Sequence, residues 1–281
     1  MKKTKIKKIT ICGYGLIGGC MALEFMKGRG KVDICAYDYP AVLKRLKKSR
    51  KHKVIVESSF PKAVRGSDII VLSAYHKSNE MFLKKLAAIK DLNDCLIIDT
   101  GAVKKPIAGL AKKIAFPSGT QFLPTHPMAG REKKGFENAA AGLFKEHAWY
   151  LDEDVKMTSG NKSKLLWMIK KLKAKPVFIS SQLHDELVSE LSHLPQLIST
   201  ILGSQVNPDL ISLAGPGLKS MLRLAGSPYS VWSEIIDENR KEIIKTLRLY
   251  SKNLNKVIDM INNNESLKQI FTEAFRSYKC L

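Results

Sequence analysis

The first residues whose types and spacing suggest chemistry are Gly13-Tyr-Gly15-Leu-Ile-Gly18. This GxGxxG spacing follows an apolar, β-rich stretch from Ile6 to Cys12 and opens a helix-periodic one that runs to Phe25. Gly13 and Gly15 let the chain turn tightly and approach a pyrophosphate. Gly18 lets helix and strand pack, and the helix start at Leu16 and Ile17 offers unpaired amides to phosphate. Asp38 ends the next apolar run, about 20 residues beyond Gly18. There its carboxylate accepts hydrogen bonds from adenosine ribose hydroxyls and repels a 2′-phosphate, so NAD is expected over NADP. Lys44 and Arg45 follow soon after, and they keep a phosphorylated ribose open as the alternative.

These residues need a scaffold. Apolar runs over Val32–Tyr37, Val54–Val56, Asp68–Ser73 and Cys95–Asp99 have helical patterns between them, which predicts buried parallel strands. Further strands are expected over Gln121–Leu123, His147–Leu151 and Pro176–Ile179. Beyond Ser180 the apolar period becomes helical, through Leu183, Leu187 and Leu191, then Leu197 and Ile201, and later Ile243, Leu247, Leu254 and Ile258. The expected fold class is α/β: an N-terminal Rossmann-type, doubly wound, mostly parallel sheet over residues 1–180, followed by an all-helical domain over 181–281.

With 281 residues, 44% of them hydrophobic and 26% charged, the chain is long enough for two globular domains. No apolar run approaches the roughly 20 residues of a membrane span. The N-terminal lysines precede a stretch broken by glycines, so no signal peptide is expected. Cys12, Cys20, Cys35, Cys95 and Cys280 are scattered without a CxxC pair, which fits reduced thiols in the cytoplasm and no metal site. A formal charge of +21 raises nucleic acid as a rival partner. However, the basic runs Lys2-Lys3, Lys47-Lys48, Lys133-Lys134 and Lys170-Lys171 are dispersed, with no aromatic platform among them. A solvated lysine surface that draws in anionic small molecules is the expected reading.

Thr125-His126-Pro127-Met128-Ala129-Gly130, followed by Glu132 and Gly135, narrows the class. With Asp99-Thr-Gly-Ala-Val-Lys104, Leu143-Phe144, Trp149 to Leu151, Ser192-His193-Leu-Pro195, Arg223-Leu-Ala, Trp232 and Asn239, it resembles the prephenate and arogenate dehydrogenases over nearly the whole chain. The resemblance implies NAD-dependent oxidative decarboxylation of a cyclohexadienol dicarboxylate, with the helical domain forming a homodimer. It implies His126 as the base that takes the hydroxyl proton, a task suited to a side chain whose pKa is ordinarily about 6.5. It also implies Arg223 as the guanidinium that grips a substrate carboxylate, and places His193 and Gln196 on the substrate side. For His193, a structural role in the cleft helix and substrate contact both stand.

The sequence departs from that pattern at three places. Ala102 replaces a serine whose hydroxyl the family shares between histidine and substrate. Gln196 replaces a second histidine, keeping a donor and an acceptor without a charge. The Gly217-Leu-Lys-Ser220 stretch departs from the usual GFRD pattern, although Arg223 survives. These changes leave open prephenate, arogenate or a related hydroxy acid as substrate, with a non-catalytic nucleotide-binding protein as the reading that His126 and Arg223 oppose.

Overall fold

The computed structural model describes residues 5–27, 32–131 and 133–280. Strands β1 (Lys8–Cys12), β2 (Asp33–Tyr37), β3 (Ile55–Val56), β4 (Ile69–Leu72), β5 (Leu96–Asp99) and β6 (Gln121–Leu123) form one sheet in the order β3-β2-β1-β4-β5-β6. Every pairing in it is parallel. Five helices connect or flank these strands: α1 (Leu16–Phe25), α2 (Pro40–Lys47), α3 (Phe60–Val64), α4 (His76–Ala87) and α5 (Lys105–Ala111).

Alternation along each strand splits the core in two. Ile9, Ile11, Ile69, Val71, Leu96 and Ile98 pack on one face with Met21 and Phe25 of α1. Cys12, Ile70, Leu72 and Ile97 pack on the other with Phe82, Leu83 and Leu86 of α4. With both faces covered, the strands read as continuous apolar runs. Because β1 pairs with both β2 and β4, the winding reverses there, and the carboxyl ends of these strands open the crevice where such sheets hold ligands.

The strands expected over His147–Leu151 and Pro176–Ile179 are present as β8 (Ala148–Asp152) and β9 (Lys175–Ile179), but they lie in a second, mixed sheet of order β7-β8-β9. Its first strand, β7 (Thr125–Pro127), runs antiparallel to β8 and pairs His126 with Tyr150. Three residues ending in proline carry no alternation to read, so β7 had no sequence signal. Helix α6 (Ser159–Leu172) lies between β8 and β9, capped by Thr158, whose hydroxyl accepts from Asn161 N.

From Ser181 onward every described element is helical: α7 (Ser181–Val188), a π turn (Ser189–His193), α8 (Leu194–Gln205), α9 (Pro216–Leu222), α10 (Tyr229–Glu238), α11 (Arg240–Asn262) and α12 (Lys268–Tyr278), with short 3-10 turns between. The leucines of the helical period that runs along α7 into the π turn face outward. Leu183 is 43% and Leu191 62% exposed, whereas His184 and Asp185 are buried at 1% and 2%. The inward face carries Ser181, His184 and Asp185 beside Val188. Among the described residues, no helix is long and apolar enough to cross a membrane.

Candidate active site

At the nucleotide end, the structure requires glycine at two of the three motif positions and leaves room at the third. Gly13 has φ +91°, and a Cβ there would lie 2.5 Å from Ala74 N. A Cβ at Gly18 would meet Gly13 O and Ile11 Cγ2, both at 2.7 Å. Gly15 has nothing within 4 Å of its Cβ position, which leaves open space beside the amides that begin α1 at Leu16 and Ile17. Asp38 follows β2 and accepts from Tyr14 N and Tyr39 N, each at 2.6 Å, so the glycine turn fixes its carboxylate. A second lone pair on each oxygen remains for ribose hydroxyls. This set fits a dinucleotide.

The crevice continues through hydrogen bonds between strand ends. Thr100 Oγ1 donates to Ser73 Oγ at 3.2 Å, beside the glycine turn. Asp99 at the end of β5 accepts from Thr125 N at 3.0 Å and from Gly101 N at 3.0 Å. Its carboxylate also pairs with the buried Lys104, whose ammonium donates to Thr125 O at 2.8 Å. Burial pulls the Lys104 pKa below its ordinary value, against the pull of Asp99 and Asp185. Thr125 Oγ1 also donates to Asp99 O, so Thr125 is held at its N–H, its carbonyl and its hydroxyl, and His126 next to it is set in place.

His126 Nδ1 lies 3.0 Å from His184 Nε2, and His184 Nδ1 lies 2.7 Å from Asp185 Oδ1. The protons in this chain can be assigned from its far end. The Asp185 carboxylate already accepts from Lys104 N and Lys105 N, each at 2.8 Å, so His184 donates to it from Nδ1. In neutral His184 the Nε2 must then accept, so His126 donates from Nδ1 and carries its lone pair on Nε2. Burial, with neighbouring cationic groups adding to it, pulls the His126 pKa well below 6.5. Burial lowers that of His184 as well, although Asp185 opposes it. Both rings are neutral at pH 7, and the site holds a base with a defined basic atom.

A third histidine is assigned the same way. Asn239 Nδ2 donates to Asp185 O at 2.8 Å and lies 3.3 Å from His193 Nδ1. Since the Asn239 amide nitrogen only donates, His193 Nδ1 accepts, and the neutral ring carries its proton on Nε2. Burial pulls the His193 pKa down to about 4. Nine residues of ideal α-helix would set His184 and His193 about 180° apart. The π turn between them underwinds the helix and returns His193 toward the His184 face, where Trp232 meets its ring edge-on at 5.7 Å.

Gln196, also buried, donates from Nε2 to Leu224 O at 2.8 Å and to Thr200 Oγ1 at 3.2 Å. Both amide hydrogens are thus engaged within the chain, so the side chain can offer a ligand only its acceptor, Oε1. Arg223 ends α9, in the backbone segment that Gln196 holds. Ala102 sits in the turn after β5, two residues before Lys104. Glu132 lies outside the described residues.

The structure therefore groups His126 with His184, Asp185, His193 and Asn239, and draws the glycine turn and Asp38 together at the other end of the crevice. Sequence reading missed His184 and Asp185. The available signal was a His-Asp pair four and five residues after the serine N-cap Ser180, in a helix whose leucines point the other way.

A doubly wound nucleotide domain, joined to a helical domain that supplies part of a buried histidine site, defines a two-domain dehydrogenase. Residues 22–177 match the prephenate dehydrogenase nucleotide-binding domain, and residues 180–276 match the prephenate dehydrogenase dimerization domain. The chain belongs to the prephenate dehydrogenase family. It is 27% identical over 280 residues to a prephenate dehydrogenase of Lactococcus lactis subsp. cremoris, covering 96% of this chain and 76% of that one. Its fold is like that of prephenate dehydrogenase from A. aeolicus in complex with hydroxyphenyl propionate and NAD+, with a TM-score of 0.82 and 23% identity over 98% of this chain and 97% of that one. Synechocystis arogenate dehydrogenase has a TM-score of 0.78 at 21% identity, covering 97% and 99%.

Proposed function

We propose that this protein catalyses the oxidative decarboxylation of prephenate to 4-hydroxyphenylpyruvate, with NAD held by Gly13, Gly15, Leu16, Ile17, Gly18 and Asp38. Bound NAD supplies the hydride acceptor. His126 takes the hydroxyl proton at Nε2 as the carbinol C–H bond is lost. Breaking the ring–carboxylate bond as CO2 then returns an electron pair to the ring, and the new phenolate oxygen recovers the proton from His126. The base ends neutral, and a depressed pKa favours that return. Arg223 and the Nε2–H of His193 bind the substrate's carboxylates, and Gln196 contributes Oε1 beside them.

The observation that supports this reading best is the ordered chain from Asp185 through His184 to His126, which supplies a neutral base with a defined lone pair. Arogenate is the second reading, favoured by Gln196: an uncharged side chain tolerates an ammonium group better than a histidinium would. NADH formation by purified protein with NAD and either substrate tests both, and a His126→Ala variant that keeps near-normal turnover would reassign the base.

A homodimer is part of the proposal. Phe271, Phe275 and Tyr278 recur on one face of α12, and Leu254, Ile258 and Ile261 lie along α11, all exposed in the single chain. A cytoplasmic location fits the five cysteines, none of them in a disulfide.

A further inference from the structure

We propose that Ser199 is a positioning residue that holds Arg223 in place for a substrate carboxylate, an inference that rests on reading Arg223 as the substrate-binding arginine. His193, Gln196 and Ser199 are spaced three apart along the start of α8, so they share one face of it. The segment carrying Arg223 is attached to that face from both sides of the arginine. Before it, Ser199 Oγ donates to Met221 O at 2.6 Å. After it, Ala225 N donates to the same Ser199 Oγ at 3.0 Å, and Gln196 Nε2 donates to Leu224 O at 2.8 Å.

A hydroxyl is the smallest side chain that donates and accepts at one atom, and Ser199 uses both capacities here. Met221 O is one of the carbonyls that the end of α9 leaves without a helical partner, and Ala225 N follows the break. Closing both onto one buried oxygen forces a tight turn around Arg223 and ties its backbone to the helix that presents His193. Two carboxylate-binding groups are thereby set at a fixed separation. A long arginine side chain needs this, because bidentate contact demands that its planar head arrive in one orientation.

Steady-state kinetics with prephenate and NAD test the assignment. Ser199→Ala should raise the KM for prephenate about tenfold, with kcat and the KM for NAD staying within roughly twofold. Ser199→Cys, close in size but a weak donor, should show a smaller rise in the same parameter, and serves if Ser199→Ala yields too little folded protein. In an Arg223→Ala background, Ser199→Ala should cost nothing further in kcat/KM, because both changes remove one interaction. A wild-type KM for prephenate in the serine variants overturns the proposal, as does a parallel rise in both KM values or an additive loss in the double variant. If Arg223→Ala alone leaves the KM for prephenate unchanged, the reading of Arg223 itself fails, whatever Ser199 does.

Discussion

His184 Nε2 stands 3.0 Å from His126 Nδ1, so a histidine of the helical region sets which nitrogen of the strand histidine is basic. His184→Phe keeps an aromatic ring against Tyr150, whose ring lies 5.1 Å away, but removes the acceptor. Without it His126 is no longer held in one tautomer. We expect kcat to fall by about 10–10³-fold, with the KM for NAD unchanged. A variant with wild-type kcat would show that His126 orients itself.

Buried neutral histidines also make stability depend on pH. His126, His184 and His193 all have folded-state pKa values below 6.5, the last at about 4. Between those values and 6.5 the unfolded chain binds protons that the folded chain refuses, so stability rises with pH there and is lost as pH falls below 6.5. His193 alone contributes a loss on the order of 3 kcal/mol by pH 4. Urea midpoints at pH 7.5, 6 and 5 should decrease in that order, and His193→Gln should flatten the slope. A midpoint flat over this range would mean that the rings charge without penalty.

Cofactor choice should follow Asp38. Its carboxylate is fixed by Tyr14 N and Tyr39 N at the end of β2, where a 2′-phosphate would meet a negative charge. We expect NAD to bind at least tenfold more tightly than NADP, from a repulsion of roughly 1.4 kcal/mol or more. Asp38→Ala should narrow that gap by removing the negative charge. Equal affinities in the unchanged protein would contradict it.

The uncovered apolar face of α12 gives a prediction about size. Phe271 is 72% exposed in the single chain. In solution the protein should run at about twice 31.4 kDa. Phe271→Glu combined with Phe275→Lys should shift sedimentation toward 31.4 kDa at micromolar concentration. A single-chain mass for the unchanged protein would remove the dimer from the proposal.

The sheet was legible because its central strands are buried on both faces, so runs such as Ile69–Leu72 stand out as unbroken apolar segments. The glycine turn was legible because Gly13 and Gly18 are forced by sterics that any such turn must obey, and Gly15 completes the spacing. The short strand β7 was not legible: its pairing with Tyr150 is a long-range event with no local period. His184 escaped for a related reason. Reading α7 by its leucines picks out the face that the single chain leaves exposed, and the polar face that packs inward looks like ordinary surface. Gln196 was legible only as a departure from the family pattern, and its bond to Leu224 O depends on a turn 28 residues away.

The two amides that hold Asp185 belong to Lys104 and Lys105, at the start of α5 in the nucleotide domain. Asp185 itself comes from α7, so the tie that orients the base crosses the joint between the two halves of the molecule. If the halves separate by a single ångström, hydrogen bonds of 2.8 to 3.0 Å are broken and His126 loses its assigned tautomer, although neither half has unfolded. With His126 as the proposed base, the joint is expected to work as a clutch: substitutions that loosen the docking of the halves should silence turnover at temperatures where circular dichroism still reports a native fold.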